Sequence, residues 1–195
     1  MTEKINYNKG NGSSPVAFLF ACPGQKEQKA GKVVAGSTGR NLNLLLSALS
    51  SSESSFIKEL FPSEDRYDYL ITNASNVVHY PAWDETSLPK KEEYSAGANL
   101  SRLFYELEDM KYVIAFGVQA KETAKLLELM FDMRNVEPRP TFITSLPHLS
   151  FLSLNQISKD VNGNDIVKGD KEGTAKRIQV VRKQLEEAVL AMKEK

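Results

Sequence analysis

Short continuous apolar runs alternate along this chain with stretches in which apolar residues return every three or four positions. The first pattern marks strands buried on both faces, and the second marks amphipathic helices. Residues 1–14 are polar and read as a flexible lead-in. Pro15 then opens VAFLFA (16–21), a buried strand, followed by a glycine-rich loop (22–38) and a helix from about Gly39 to Ser50. Leu42, Leu45, Leu46 and Leu49 share one face of that helix, and the serine-rich stretch Ser47–Ser55 runs out of it into a loop. Tyr69–Thr72 (YLIT) is a second strand, leading into a polar loop with Asn73, Asn76, His79 and Trp83. A helix over roughly 92–108 follows, with Leu100, Leu103, Phe104 and Leu107 inward. Tyr112–Phe116 (YVIAF) is a third strand, Val118 to about Phe131 a helix, and Thr141–Thr144 (TFIT) a fourth strand. Residues 160–167 (DVNGNDIV) carry an Asn-Gly turn and suggest a small hairpin. The last helix spans Thr174 to Met192.

This alternation predicts one α/β domain over residues 15–195. Its architecture is a three-layer sandwich with a central, mainly parallel four-stranded sheet and right-handed crossovers. Ligands of such sheets bind beyond the carboxyl ends of the strands. Four loops are thereby gathered on one rim: Cys22–Thr38, Asn73–Trp83, Gly117–Gln119 and Ser145–Asn155.

Composition narrows the chemistry. With 195 residues, 41% apolar and 26% charged, the chain suits a single globular core. One cysteine, Cys22, excludes within the chain a disulfide framework, a four-cysteine zinc site and a cysteine-held iron–sulfur cluster. Two histidines are too few for a histidine-rich metal site, and no acidic spacing calls for magnesium, so no cofactor is expected. No apolar run reaches membrane-spanning length and the N-terminus lacks the apolar core of a signal peptide. A cytoplasmic monomer without a membrane partner is therefore expected. A net charge of zero argues against bulk electrostatic coating of nucleic acid, but leaves room for a local basic groove. Lys26, Lys29, Lys32 and Arg40 gather in the first loop and Lys90 with Lys91 in the second, each reading alone as a solvated charge.

Within the rim, Gly31-x4-Gly36-Ser37-Thr38 nearly matches a phosphate-binding loop but lacks its lysine, and no G-x-G-x-x-G follows the first strand. Nucleotide hydrolysis and dinucleotide redox chemistry lose their main support. Asn73 directly follows a strand, and its carboxamide offers the donor and acceptor that match a pyrimidine edge; bridging backbone groups at the strand end is the equal alternative. His79, beside Tyr80 and Trp83, reads as a surface or packing residue. His148 lies just past the fourth strand, where an imidazole can donate to an oxygen that becomes negative. Ser150 and Ser153 are suited to phosphate oxygens, and Leu149, Phe151 and Leu152 to wedging into a base stack.

Taken in order, these segments resemble the uracil-DNA glycosylase superfamily over most of the chain. Ala21-Cys22-Pro23-Gly24 is similar to the first family motif. Residues 31–42 (GKVVAGSTGRNL) are similar to the G-x-P-F-V-G-x-x-G segment of the iron–sulfur class. Ile71-Thr72-Asn73 matches that class's I-T-N, whose asparagine reads uracil, and Val113–Gly117 resembles the apolar strand ending in glycine. His148-Leu149-Ser150-Phe151-Leu152-Ser153 resembles the H-P-S-P-L-S motif, which carries the catalytic histidine and a leucine wedge. Three departures stand out. The cluster-ligating cysteines are missing, Ala21 or Cys22 occupies the position of the water-activating acid or amide, and Leu149 replaces the family proline.

The resemblance implies a glycosylase-like fold and a cluster-free DNA glycosylase that excises uracil or a related deaminated base. His148 would stabilise the departing base, and Gln25 or Glu27, or Asn73 in a double role, would orient water. Cys22, Pro23, Gly24, Gln25, Val34 and Asn73 would hold the base. Lys32, Ser37, Arg40, Ser150, Phe151, Leu152 and Ser153 would hold single- or double-stranded DNA. The alternative is a non-catalytic binder of a base, nucleoside or damaged DNA on the same fold. A third reading, a small-molecule phosphate-ester or nucleotide enzyme using the 31–38 loop, is weakened by the absent lysine.

Overall fold

The segment Val16–Phe20 has no polar side chain to turn toward water, and it runs buried along its whole length through the middle of the sheet. The computed structural model describes residues 3–193; the first two residues of the expected lead-in and the last two of the expected domain lie outside the described residues. Among the described residues the strands are β1 (Tyr7–Asn8), β2 (Val16–Phe20), β3 (Leu70–Asn73), β4 (Tyr112–Ala115) and β5 (Thr141–Ile143). They form one mixed sheet in the order β1-β3-β2-β4-β5. Strands β2 to β5 are mutually parallel, and β1 pairs antiparallel with β3 through Tyr7 on Thr72 and Asn8 on Ile71.

The helices are α1 (Glu3–Asn6), α2 (Gln25–Ala30), α3 (Ser37–Ser50), α4 (Ser55–Leu60), α5 (Pro81–Asp84), α6 (Lys91–Tyr94), α7 (Gly97–Leu107), α8 (Val118–Arg134), α9 (Phe151–Leu154) and α10 (Gly173–Lys193). Because strand side chains alternate between faces, β2 serves two cores. Phe18 and Phe20 pack with Leu42, Leu46 and Leu49 of α3 and Val181 and Leu185 of α10. Ala17 and Leu19 pack with Leu103 and Leu107 of α7 and Ala124 and Leu127 of α8. Each fully buried Leu or Phe contributes about 1.5–3 kcal/mol by leaving water, so helices cover both faces of the sheet.

The chain leaves β2 toward β3 by way of α3 on one face, and leaves β4 toward β5 by way of α8 on the other. Neighbouring strands that send their connections to opposite faces leave a gap above their carboxyl ends. A cleft opens there.

Three expectations change. The sheet has five strands, not four, because Tyr7–Asn8 of the expected lead-in caps the otherwise open edge of β3. Asn8 Nδ2 secures it by donating to the Tyr67 and Tyr69 carbonyls at 2.9 and 2.8 Å. The helix expected over 92–108 is two helices, with Asn99 Nδ2 pinning the junction by donating to the carbonyls of Ala74 and Tyr94. The expected hairpin at 160–167 is a single bridge between Lys159 and Asp165. Two backbone hydrogen bonds flank it, Asp160 N–H to the Asn164 carbonyl and Ile166 N–H to the Ser158 carbonyl, while Asp160 Oδ1 closes the turn by accepting from the backbone N–H groups of Asn162 and Asn164, each at 2.9 Å.

Candidate functional site

A cleft of about 860 Å³ opens over the carboxyl ends of the parallel strands, and each of the four predicted loops contributes to its wall. Cys22, Gly24, Glu27, Val34 and Thr38 come from the first loop, and Asn73 and His79 from the second. Gly117 and Gln119 come from the third, and His148, Ser150, Leu152 and Ser153 from the fourth.

His148 follows β5 on an irregular turn. The Ser150 backbone N–H donates to its Nδ1 at 3.0 Å. A nitrogen that accepts in a neutral imidazole carries no proton, so the proton is on Nε2. Burial pushes the His148 pKa down to about 4, against a smaller opposing pull from the Glu27 charge. The side chain is therefore neutral at pH 7, with an N–H donor on the wall of the cleft. Phe20 meets the ring edge-on with centroids 5.9 Å apart. Gly117 (φ +89°) lies under it, and a Cβ added there would come within 3.1 Å of the His148 Cβ. A side chain at 117 would strain the backbone and press His148 outward by a few tenths of an ångström.

Glu27 enters from α2. Its Oε2 accepts from the Gly24 backbone N–H at 3.1 Å, and its Oε1 from that of Gly36 at 3.0 Å. One carboxylate thus stitches the two ends of the first loop together beside the cleft. Val34, between them, holds a φ of +42°, a conformation that costs a β-branched residue on the order of 1–3 kcal/mol. Its side chain is buried and its carbonyl lies against Gly39, where a Cβ would overlap that oxygen.

Asn73 ends β3 with a buried carboxamide on the cleft wall. Its Nδ2 donates to the Asn6 carbonyl at 3.3 Å, and Arg102 Nη2 donates to its own carbonyl at 2.8 Å. The backbone-bridging reading of Asn73 is thereby met, and the residue also borders the cleft. No protein-family model matches the chain, and no curated protein matches it.

His79, read from sequence as a surface or packing residue, is buried. Nδ1 contacts Asp84 Oδ2, and Nε2 lies 2.7 Å from Glu93 Oε2. Burial favours the neutral ring, but the hydrogen bonds and charges of Glu93 and Asp84 outweigh it, and the net pKa is raised. His79 is an imidazolium clamp for the second loop, and its backbone N–H ties that loop to the first by donating to the Pro23 carbonyl at 3.0 Å. Replacing His79 by Gln leaves two carboxylates without their cation, and we expect a loss of about 1–2 kcal/mol at pH 6. A raised folded-state pKa adds stability that is full below about pH 6.5 and fades as pH rises through the folded value. The difference between wild type and variant in urea melts should therefore shrink from pH 6 to pH 9. A difference that grows over that interval would refute the clamp.

Cys22 is held as an inert thiol. Burial, followed by the negative charges of Glu93, Asp84 and Glu27, pushes it up to about 12, which removes it as a nucleophile.

Some expected site residues fall outside the wall. Gln25, the first residue of α2, is exposed, because the same turn that brings Glu27 inward carries Gln25 outward. Pro23 is buried behind Gly24, with its carbonyl engaged by His79. Lys32 lies over the Tyr67 ring at 5.6 Å. Ser37 and Arg40 open α3, with Arg40 exposed, and Phe151 is exposed on α9 beside Leu152, which is 79% exposed on the lip. Sequence reasoning missed His79 and also Lys121, which reaches the wall from the first turn of α8. The available signal for Lys121 was its place one helical turn after Gly117, at the same end of the sheet. Among the described residues no group of three or more His, Cys, Asp or Glu is arranged to hold a metal, and no helix is long and apolar enough to cross a membrane.

Proposed function

We propose that this chain is a base-excising DNA glycosylase with the three-layer architecture of the uracil-DNA glycosylase superfamily, acting on uracil or a related deaminated base. One observation carries the reading: a neutral His148 offers an Nε2–H donor to a cleft that is also walled by the Asn73 carboxamide and the Glu27 carboxylate. A neutral donor suits a leaving base. Negative charge develops on the base oxygens as the glycosidic bond breaks, and a donor already aimed at them stabilises the transition state more than the ground state.

In this reading the target nucleotide is flipped from the stack into the cleft, and contacts there offset the unstacking cost. The Asn6 carbonyl orients the Asn73 amide, whose Oδ1 and second Nδ2 hydrogen meet the base edge. Val34 supplies an apolar surface beside the ring. Leu152 on the lip fills the space the base vacates, and Ser150, Ser153 and Lys121 face the strand's phosphates. The C–N bond breaks, the electron pair leaves with the base, and His148 donates a hydrogen bond to the oxygen that receives the charge. Water adds to the sugar carbon and passes its proton to the Glu27 carboxylate. Of the three residues named for that step, Glu27 and Asn73 line the cleft and Gln25 faces away. A carboxylate has about four lone-pair directions, so Glu27 holds two amides and still accepts from water.

A non-catalytic binder on the same fold is the second reading. It is favoured by the engagement of both Glu27 oxygens with backbone amides and by Ala21 and Cys22 at the position of the family's acid. The deciding experiment incubates purified protein with single- and double-stranded oligonucleotides carrying uracil, hypoxanthine or xanthine, followed by alkaline cleavage of abasic sites. Excision of at least one base is expected. Binding without excision establishes the binder, and neither binding nor excision ends both readings.

A further inference from the structure

Asn41 is a polar residue in an apolar place. It occupies the stripe of α3 that Leu45 and Leu49 continue toward the core, and it is 2% exposed. A carboxamide buried without partners destabilises where an apolar residue would stabilise, so its hydrogen bonds indicate what keeps it there. Nδ2 donates to the Leu149 carbonyl at 2.8 Å, across 108 residues of chain.

The acceptor is one end of a peptide group whose other end is the Ser150 N–H, and that N–H donates to His148 Nδ1 at 3.0 Å. Asn41 thus grips the Leu149–Ser150 peptide by its oxygen while the same peptide grips the imidazole by its hydrogen. A peptide plane fixed at C=O cannot rotate to withdraw its N–H, and a carbonyl that accepts a hydrogen bond makes its own N–H a stronger donor. Gly117 closes the other side of the turn, its N–H donating to the Leu146 carbonyl at 3.4 Å.

We infer that Asn41 is a positioning residue for His148, acting through the Leu149–Ser150 peptide to hold the imidazole in the Nε2–H tautomer that faces the cleft. It touches neither base nor sugar. Its kinetic consequence rests on the glycosylase reading, whereas its effect on the tautomer does not.

The test uses the full chain with ¹⁵N-labelled histidine. Only two histidines contribute, and His79, charged between two carboxylates, is distinct from a neutral ring. In the wild type the His148 signals should report one tautomer, protonated at Nε2. In Asn41→Leu, which keeps the branched outline and removes the donor, the two tautomers should mix. On an excisable oligonucleotide kcat should fall about 10–100-fold with KM unchanged, the usual scale for losing a group that orients a functional side chain. Asn41→Ala, which also lacks the donor and adds no bulk, should behave alike and serves if the leucine variant does not fold. A single Nε2–H tautomer in either folded variant, with wild-type kcat, overturns the proposal and leaves the glycosylase reading untouched. Mixed tautomers in a protein that excises no base support the positioning role while the glycosylase reading fails.

Discussion

His148→Ala should lower base excision by about 10²–10³-fold in kcat while leaving affinity for the oligonucleotide within a few-fold of wild type, the usual consequence of losing one pre-aimed donor. The split follows from the proposed role. A hydrogen bond that strengthens only as the base acquires charge adds little to ground-state binding. The pH profile gives an independent check. With a pKa pushed down to about 4, His148 remains a neutral donor through the whole neutral and mildly acidic range. The acid limb belonging to this residue should lie near pH 4, not near 6.5. Protonation at Nδ1 would also break the hydrogen bond from Ser150. An acid limb at pH 6–7 that disappears in His148→Ala would show that the neutral-donor mechanism is wrong. Stability carries the same signature. The unfolded chain takes up a proton on this histidine first, so folding weakens as pH falls from about 6.5 toward 4. His148→Ala should lose less over that interval.

Gly39→Ala should destabilise the protein by about 2–3 kcal/mol, a fall of several degrees in melting temperature. On an exposed helix the same change would gain up to about 1 kcal/mol in helix propensity, so the sign of the result is informative. Here a Cβ would overlap the Val34 carbonyl oxygen and come within 2.8 Å of Arg66 Nε, and backbone cannot yield as a flexible side chain does. Steric overlap therefore wins. Relief requires α3 to move away from the 31–36 segment, so the variant's remaining folded fraction should also bind oligonucleotide more weakly. Urea denaturation at pH 7 measures the first effect. A variant as stable as wild type would mean that α3 and the Val34 turn are not packed as described.

Much of this was legible in the residues. Val16–Phe20, Leu70–Asn73 and Tyr112–Ala115 are strands where continuous apolar runs predicted them. With them came the rim, since topology alone sends Asn73 and His148 to the same end of the sheet. What stayed hidden was decided by distant partners or by one-residue rotations. Tyr7–Asn8 is polar and too short for any period, and it becomes a strand only because β3 presents an open edge. His79 finds its carboxylates 5 and 14 residues downstream on two separate short helices, so no single spacing rule links them to it. Gln25 and Glu27 were interchangeable on paper until a turn of α2 pointed one outward and the other toward the cleft. Asn41 left a readable trace, an amide interrupting a leucine stripe, but its partner lies on another element altogether.

The gap between β2 and β4 has an evolutionary consequence. Because it exists by virtue of the order in which strands are wired, the cavity does not depend on those wall side chains that make no hydrogen bond across it. Thr38, Gln119, Ser145 and Gln156 can be exchanged for other side chains at little cost to folding. Selection could therefore retune what this hollow accepts one residue at a time, while the leucine and phenylalanine layers beneath it stay the same.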